Sequence, residues 1–251
     1  MSGRPSVTGV VLTYNEGRHI AECLESLAWA DAVLVFDSFS TDDTVAQARR
    51  HGAVIVQHPF DNFAQQRNAA LAHVQTPWVF FLDADERVPP ELAAEIRSVL
   101  TREEAGWWVP RRNFIVGKWV QHAGWYPDYQ LRLFRVDRGR YDPGRVVHEV
   151  VLLEGEAGYL QNPLIHYNYD SWREFIEKQL KYARLDARMQ VERGVRPHLW
   201  TYFLQPLREF RRRYITWQGY RDGWHGLVLS LLMAYTAFRT TLEVRRILRA
   251  G

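Results

Sequence analysis

An α/β fold built on a mainly parallel sheet is predicted for this 251-residue chain, and three observations predict it. Between residues 7 and 86, short β-branched or aromatic runs alternate with helical patterns, the signature of βαβ units. The run Trp78 to Leu82 is apolar throughout, as a strand covered on both faces must be. It then breaks into Asp83-Ala84-Asp85-Glu86, which puts carboxylates at the end of an open-sheet strand, where ligands bind.

The first strand is Val7 to Leu12. Ile20, Cys23, Leu24 and Leu27 recur at i, i+3, i+4 and i+7, so an amphipathic helix follows. Ala32 to Asp37 forms the second strand. Ser40-Thr41-Asp42-Asp43 offers a cap and two first-turn carboxylates to a helix over Thr44 to His51, closed by Gly52. Val54 to Gln57 is the third strand, Gln66-Arg67-Asn68 opens a helix, and Trp78 to Leu82 is the fourth strand. A helix begins near Pro89-Pro90-Glu91; if the preceding carboxylates had only a structural role, Asp83 or Asp85 would cap it. From Glu104 to Asp170 short strands rich in Trp, Tyr, Gly and Pro suggest a mixed-sheet extension bearing an acceptor pocket. Residues 171–193 are helical, Gly194 to His198 is a break, and Leu199 to Leu248 holds two or three amphipathic helices. The expected organisation is an α/β domain over 1–170, with halves of about 1–103 and 104–170, followed by a basic helical region over 171–251.

Charge separates the two regions. Residues 1–170 carry 16 Lys and Arg against 22 Asp and Glu, whereas residues 171–251 carry 16 against 7. Basic charge mixed with Trp, Tyr and Leu suits a nucleic acid or an anionic membrane face, and no nucleic-acid module accompanies it, so no nucleic-acid partner is expected. The single cysteine, Cys23, lies on the apolar side of its helix and is expected to be a buried thiol rather than a nucleophile. No disulfide framework can form, and the first strand begins too early to leave room for a signal segment; a cytoplasmic location is expected.

Four elements fall at the expected carboxyl edge: Thr13-Tyr14-Asn15-Glu16, Asp37-Ser38, Gln66-Arg67-Asn68 and Asp83-Ala84-Asp85. Independent strands converging on one crevice can hold a nucleotide, with carboxylates accepting from ribose or base and an arginine supplying planar donors. Asp-x-Asp offers two hard oxygens to Mg²⁺ or Mn²⁺.

These motifs, with Phe36 to Thr44 read as one block and Ala64 to Asn68 as another, resemble the family 2 glycosyltransferases, which have the GT-A fold. The resemblance covers about the first 150 residues. Gly124 to Arg135, followed by Val147-His148-Glu149, looks like the bacterial lipopolysaccharide core transferases related to the β-1,4-glucosyltransferases. One departure is Phe39, where the family usually has glycine, so a differently shaped turn is expected after Asp37.

The resemblance implies that Thr13, Asn15, Glu16, Asp37 and Arg67 lie on the nucleoside, that Asp83 lies near ribose and metal, and that Asp85 is the metal ligand. The implied metal is Mn²⁺ or Mg²⁺, with His166 completing its shell. It further implies inverting transfer from a nucleotide sugar, a UDP-sugar first, to a saccharide or lipid-linked acceptor. Direct displacement needs a general base on the acceptor side, and Glu149 is the first choice, with Asp128 second. A sugar nucleotidyltransferase is the rival enzyme, although Thr13-Tyr14-Asn15-Glu16-Gly17 lacks the glycine-rich basic loop it would need. A catalytically inactive membrane-bound scaffold is the non-enzymatic rival.

Gly223 to Phe238 contains no Asp, Glu, Lys or Arg, which falls short of the roughly 20 residues that span a bilayer. Trp200, Tyr202, Phe203, Leu204, Leu207 and Phe210 precede Arg211-Arg212-Arg213, and Arg239, Arg245, Arg246 and Arg249 follow the apolar run. Aromatics at headgroup level beside arginines point to peripheral, monotopic association with the inner face of the cell membrane. The alternative is a helical cap packed on the catalytic domain or forming a homodimer.

Overall fold

In the computed structural model, which describes residues 5–143 and 150–250, packing divides the chain into two units. The first consists of the residues up to Arg111 together with Tyr129–His166, and the second of Arg112–Asp128 together with the residues from Tyr167 on. The aromatic segment 112–128 thus groups with the C-terminal helices, and the change in composition near residue 170 marks where the basic charge begins.

The elements of the α/β part follow in order: β1 (Val7–Thr13), α1 (Ile20–Glu25), β2 (Ala32–Asp37), α2 (Thr44–Arg50), β3 (Val54–Gln57), α3 (Phe63–Leu71), β4 (Trp78–Asp83), β5 (Glu86–Arg87) and α4 (Pro90–Val99). Strands then dominate, as β6 (Gly106–Ile115), β7 (Lys118–Trp119), β8 (Asp128–Arg135), β9 (Gly139–Tyr141), β10 (Val151–Leu153), β11 (Ala157–Tyr159) and β12 (Leu164–Tyr169). The main sheet runs β3-β2-β1-β4-β8-β6-β12-β5. Its first four strands are parallel, β8 pairs antiparallel with β4, and β5 pairs antiparallel with β12.

Two-sided burial of β4 organises the first unit. Trp78, Phe80 and Leu82 enter one cluster with Ile20, Cys23, Leu24 and Leu27 of the α1 region and with Leu92 and Ile96 of α4. Val79 and Phe81 enter the other with Ala64 and Ala70 of α3, Phe134 and Tyr141. Each Val, Leu, Ile or Phe among them contributes about 1.5–3 kcal/mol when fully buried.

Several local expectations are corrected. The cap at Pro90 is Pro89, so neither Asp83 nor Asp85 serves helix α4. Asp42 and Asp43 precede the first turn of α2 instead of lying in it, and Asp42 Oδ1 accepts from the Thr44 N–H at 3.0 Å. Helix α3 starts at Phe63, because the Asn62 side chain accepts from the Gln65 N–H at 2.9 Å, and Arg67 therefore lies mid-helix. The mixed-sheet extension is present, but its strands β6 and β8 are 10 and 8 residues long rather than short.

The helical part contains α5 (Trp172–Glu192), α6 (Thr201–Phe210) and α7 (Gly223–Ala250), with a π turn over Arg211–Thr216 and a 3₁₀ turn over Gly219–Asp222 before α7. Ser171 caps α5, Gly194 ends it at φ +76°, and Pro206 lies inside α6. Helix α7 packs on α5 and α6. Gly219–Arg249 is long and apolar enough to cross a membrane by length and composition, and 33% of its most apolar window is buried inside the protein. Buried Asp222 accepts from the N–H groups of Gln121 and His122 at 3.2 and 2.8 Å, tying residues 121–122 to the start of α7.

The arginine cluster is less available than its sequence suggests. Arg213 donates to Glu209 at 2.6 Å and to the Ala123 carbonyl at 2.8 Å, and Arg212 also pairs with Glu209. Burial lowers the pKa of the Arg213 guanidinium against the opposing pull of Glu209.

Gly226 sets a close approach, since a Cβ there would fall 1.8 Å from the Gly219 carbonyl oxygen. Gly226→Ala is expected to destabilise the helical unit by about 3 kcal/mol through forced overpacking. Urea unfolding of the full chain followed by tryptophan fluorescence checks this; an unchanged midpoint would mean that the contact relaxes freely.

Candidate active site

The carboxyl ends of β1, β2 and β4 carry a connected polar edge. Thr13 is buried at the end of β1 and donates from Oγ1 to Asp37 Oδ1 at 2.9 Å. Asp37, fully buried at the end of β2, also accepts from the Ser40 hydroxyl, from the Ser40 N–H at 2.9 Å and from Gln57 Nε2 at 3.1 Å. Burial works against ionisation, but the hydrogen bonds from Ser40, Gln57 and Thr13 outweigh it and hold the carboxyl below its ordinary range.

Ser40 links this carboxylate to the β1 turn. Its Oγ accepts from the Asn15 N–H at 2.9 Å, while Asn15 Oδ1 accepts from the Thr41 N–H at 2.8 Å. The Glu16 N–H donates to Thr44 Oγ1 at 2.8 Å. Thus Thr13, Asn15, Glu16 and Asp37 belong to one braced pair of loops. Asn15 and Phe39 both adopt left-handed backbone, at φ +57° and +58°. The turn after Asp37 therefore has a conformation a glycine would favour, and a phenylalanine holds it at a cost of about 1 kcal/mol, with its side chain exposed.

The second cluster is an ion-pair network at the end of β4. Arg67 of α3 is buried over the faces of Phe81 and Tyr141 and donates from Nη2 to Asp83 Oδ1 at 2.8 Å. Arg132, 5% exposed on β8, donates from Nη2 to Asp83 Oδ2 at 2.5 Å and to Glu86 Oε1 at 2.7 Å. Glu86 is fully buried, accepts from the Asp83 N–H at 2.9 Å and lies 3.4 Å from Arg111 Nη1. Burial would raise the Asp83 pKa, but Arg132 and Arg67 drive it well below the carboxylate range. Arg67, Arg111 and Arg132 thus converge on Asp83 and Glu86.

Arg111, Arg132 and Glu86 carry no site role in the sequence pattern, although Glu86 closes the carboxylate run. A charged residue inside the apolar run Leu131 to Phe134 was the available signal, since such a residue must be paired when buried.

Asp85 follows on the turn between β4 and β5, and His166 on β12 stands opposite Glu86 in the antiparallel register. This pairing sets His166 Nε2 3.4 Å from Asp85 Oδ2, with 8% of the His166 side chain and 31% of the Asp85 side chain exposed. Asp83, whose oxygens are taken by Arg67 and Arg132, points its charge elsewhere. Among the described residues no group of three or more His, Cys, Asp or Glu gathers as a metal cluster. Cys23 is buried nearby, donating to the Asp83 carbonyl at 3.6 Å, and burial pushes its thiol above the ordinary range, as suits a packed residue.

Asp128 belongs to the second unit, where its Oδ2 accepts from Asn113 Nδ2 at 3.2 Å. Glu149 and His148 lie outside the described residues.

Residues 8–151 match the family model described as glycosyl transferase family 2. The chain belongs to this family. As a family 2 glycosyltransferase it is 31% identical over 246 residues to the lipopolysaccharide core biosynthesis glycosyltransferase LpsC of Rhizobium meliloti (strain 1021), covering 95% of this chain and 91% of the relative. It is 23% identical to a glycosyltransferase of Rickettsia felis over 95% of this chain and 89% of that protein. Among solved structures, the mannosyltransferase PcManGT of Pyrobaculum calidifontis, described in complex with GDP-Man and Mn²⁺, superposes with a TM-score of 0.53 at 16% identity, covering 98% of this chain and 87% of that one. The fold is GT-A, with the mainly parallel sheet and flanking helices of that class.

Arg132→Met is expected to cost the glycosyltransferase about 3 kcal/mol, because it leaves Glu86 and Asp83 with less compensation in a buried network. Equal urea midpoints for the variant and the parent would contradict this. Acid unfolding gives a second measurement. Asp37 and Asp83 have folded pKa values below their unfolded ones, so their stabilisation is fully present above about pH 4 and is lost as the pH falls through the folded values. Asp83→Asn should flatten the loss of stability on acidification, and an unaltered acid profile would assign that loss to other groups.

Proposed function

We propose that this glycosyltransferase transfers a sugar, with inversion, from a nucleotide sugar to a saccharide or lipid-linked acceptor in the synthesis of a lipopolysaccharide core or related cell-envelope glycan. The relative LpsC supports the pathway class, and a UDP-sugar is the proposed donor. The observation that carries the metal-dependent reading is the Asp85–His166 pair, 3.4 Å apart and adjoining the Arg67–Asp83–Arg132 network.

The carboxylate oxygen suits Mn²⁺ or Mg²⁺, the imidazole nitrogen favours Mn²⁺ of the two, and two protein donors leave room for waters and diphosphate oxygens. Asp85 and His166 would hold the ion, which when bound neutralises charge developing on the diphosphate leaving group. Thr13, Asn15, Glu16 and Arg67 serve the nucleoside side in this proposal. Asp37, whose oxygens are already engaged by Thr13, Ser40 and Gln57, holds their loop in shape. Asp83, clamped by two guanidiniums, stays ionised at the ribose, and the guanidiniums gathered beside it favour a bound diphosphate.

For the acceptor, Glu149 is the proposed general base, receiving the proton of the attacking hydroxyl as that oxygen displaces the diphosphate; Asp128 is the second candidate. Such a base contributes about 10²- to 10⁴-fold in rate. Family membership sets aside the nucleotidyltransferase reading, and measured transfer would set aside the inactive scaffold. The proposed location is the cytoplasmic face of the membrane, carried by the aromatic and basic surface of the helical unit, with a homodimer as the alternative use of that surface.

Hydrolysis of a panel of nucleotide sugars with Mn²⁺ and Mg²⁺ tests the donor and the ion together. Asp85→Ala is expected to weaken Mn²⁺ binding, read by the paramagnetic signal of the free ion, and to lower turnover at least about 100-fold. Unchanged Mn²⁺ binding would reject the ligand role. Glu149→Gln is expected to lower acceptor transfer by about 10²- to 10⁴-fold while leaving nucleotide-sugar binding intact. Full transfer in that variant moves the base to Asp128, and inversion is read from the anomeric configuration of the product.

A further inference from the structure

The helical unit contains a basic cavity whose lining includes none of the residues assigned to the candidate active site. It has a volume of about 470 Å³, and its lining includes Arg196, His198, Leu199, Tyr202, Arg245 and Leu248. No carboxylate lines it among the described residues. Other arginines of this region are spent on internal partners: Arg212 and Arg213 on Glu209, and Arg239 and Arg246 on Glu243. Arg196 and Arg245 meet no carboxylate among the described residues.

Tyr202 supplies an independent observation. It is 9% exposed, with the Arg245 guanidinium 5.8 Å from its ring centroid, and its buried hydroxyl has no hydrogen-bond partner among the described residues. Leaving a buried hydroxyl unpartnered costs about 1–3 kcal/mol, so a ligand that supplied an acceptor would recover that cost. Tyr202 also lies in the first turn of α6, where the helix presents its positive end.

The surroundings of the cavity identify the ligand's source. Leu199, Trp200, Phe203, Leu204 and Leu207 are all exposed, Phe203 by 78%, and His198 stacks on Trp200 with ring centroids 4.6 Å apart. On α6, residues 200, 203, 204 and 207 share one helical face. Large apolar and aromatic side chains flanking a cationic pocket match the boundary between acyl chains and headgroups.

We propose that this cavity binds the phosphate of an anionic phospholipid headgroup. Arg196, Arg245 and His198 face its oxygens, Tyr202 donates its hydroxyl, and Leu199, Trp200, Phe203, Leu204 and Leu207 enter the interface. The inference rests on the membrane-surface reading of the helical unit and adds a defined site to it.

The test is flotation of the full chain with phosphatidylcholine vesicles, with and without phosphatidylglycerol. Two double variants remove equal charge: Arg196→Gln/Arg245→Gln inside the cavity and Arg208→Gln/Arg211→Gln outside it. Diffuse attraction predicts about a 30-fold loss of partitioning for either pair. The cavity pair is expected to lose at least about tenfold more than the outside pair, and Tyr202→Phe a few-fold, while nucleotide-sugar hydrolysis in solution stays at the parent level in all three. Equal losses in the two double variants would overturn the site while leaving membrane binding intact. No flotation of the parent on either vesicle would reject the membrane reading and the site with it. Calorimetric titration with inorganic phosphate separates the sources: saturable binding abolished by the cavity pair, without preference for anionic vesicles, would make the ligand free phosphate and overturn the lipid assignment.

Discussion

Arg132 bridges Asp83 and Glu86 from the adjacent antiparallel strand, and the geometry of the candidate site follows from that bridge. A fully buried Glu86 is tolerable only with a guanidinium in hydrogen-bond contact, and the same guanidinium fixes one oxygen of Asp83 while Arg67 fixes the other. With Asp83 clamped, the next carboxylate on the turn, Asp85, is the one left to meet His166. The Asp-x-Asp sequence therefore yields two unlike carboxylates, one held by arginines and one paired with an imidazole.

Strand pairing supplies the other half of this arrangement. His166 lies 81 positions after Asp85 in the chain, and the two-residue strand β5 brings them together by pairing antiparallel with β12. So short a strand is stable because Arg87 is itself anchored, donating to the carbonyls of Ala84 and Glu86 at 2.8 Å and reaching Glu22 at 3.1 Å. Backbone pairing and buried charge thus reinforce each other across the last strands of the sheet.

The loops on the β1 and β2 side depend on a different economy of hydrogen bonds. Asp37 receives donors from three residues and Ser40 bonds in two directions, which holds Asn15 and Phe39 in left-handed backbone that neither would adopt unaided. In the helical unit Glu209 and Glu243 pair with four arginines, Arg213 among them largely buried and Arg212 and Arg246 still exposed, so part of the positive charge is compensated locally. Arg196 and Arg245, which line the cavity with Tyr202, are not among these pairs.

By itself the sequence determined the α/β alternation, the approximate strands and helices of the first hundred residues, and the cluster of Thr13, Asn15, Glu16, Asp37, Arg67, Asp83 and Asp85 at their carboxyl ends. These are local signals: period-2 and period-3.6 patterns, and polar residues that stop apolar runs. Even there the helix starts shifted, because caps such as Asn62 and Pro89 are decided by backbone geometry that hydrophobic spacing does not record. Only the tertiary structure decided where β6 and β8 enter the sheet, that Glu86, Arg111 and Arg132 form one network, and that His166 lies 3.4 Å from Asp85. Each depends on contacts between residues far apart in the chain, where antiparallel register and charge compensation act, and neither leaves a periodic trace in the sequence.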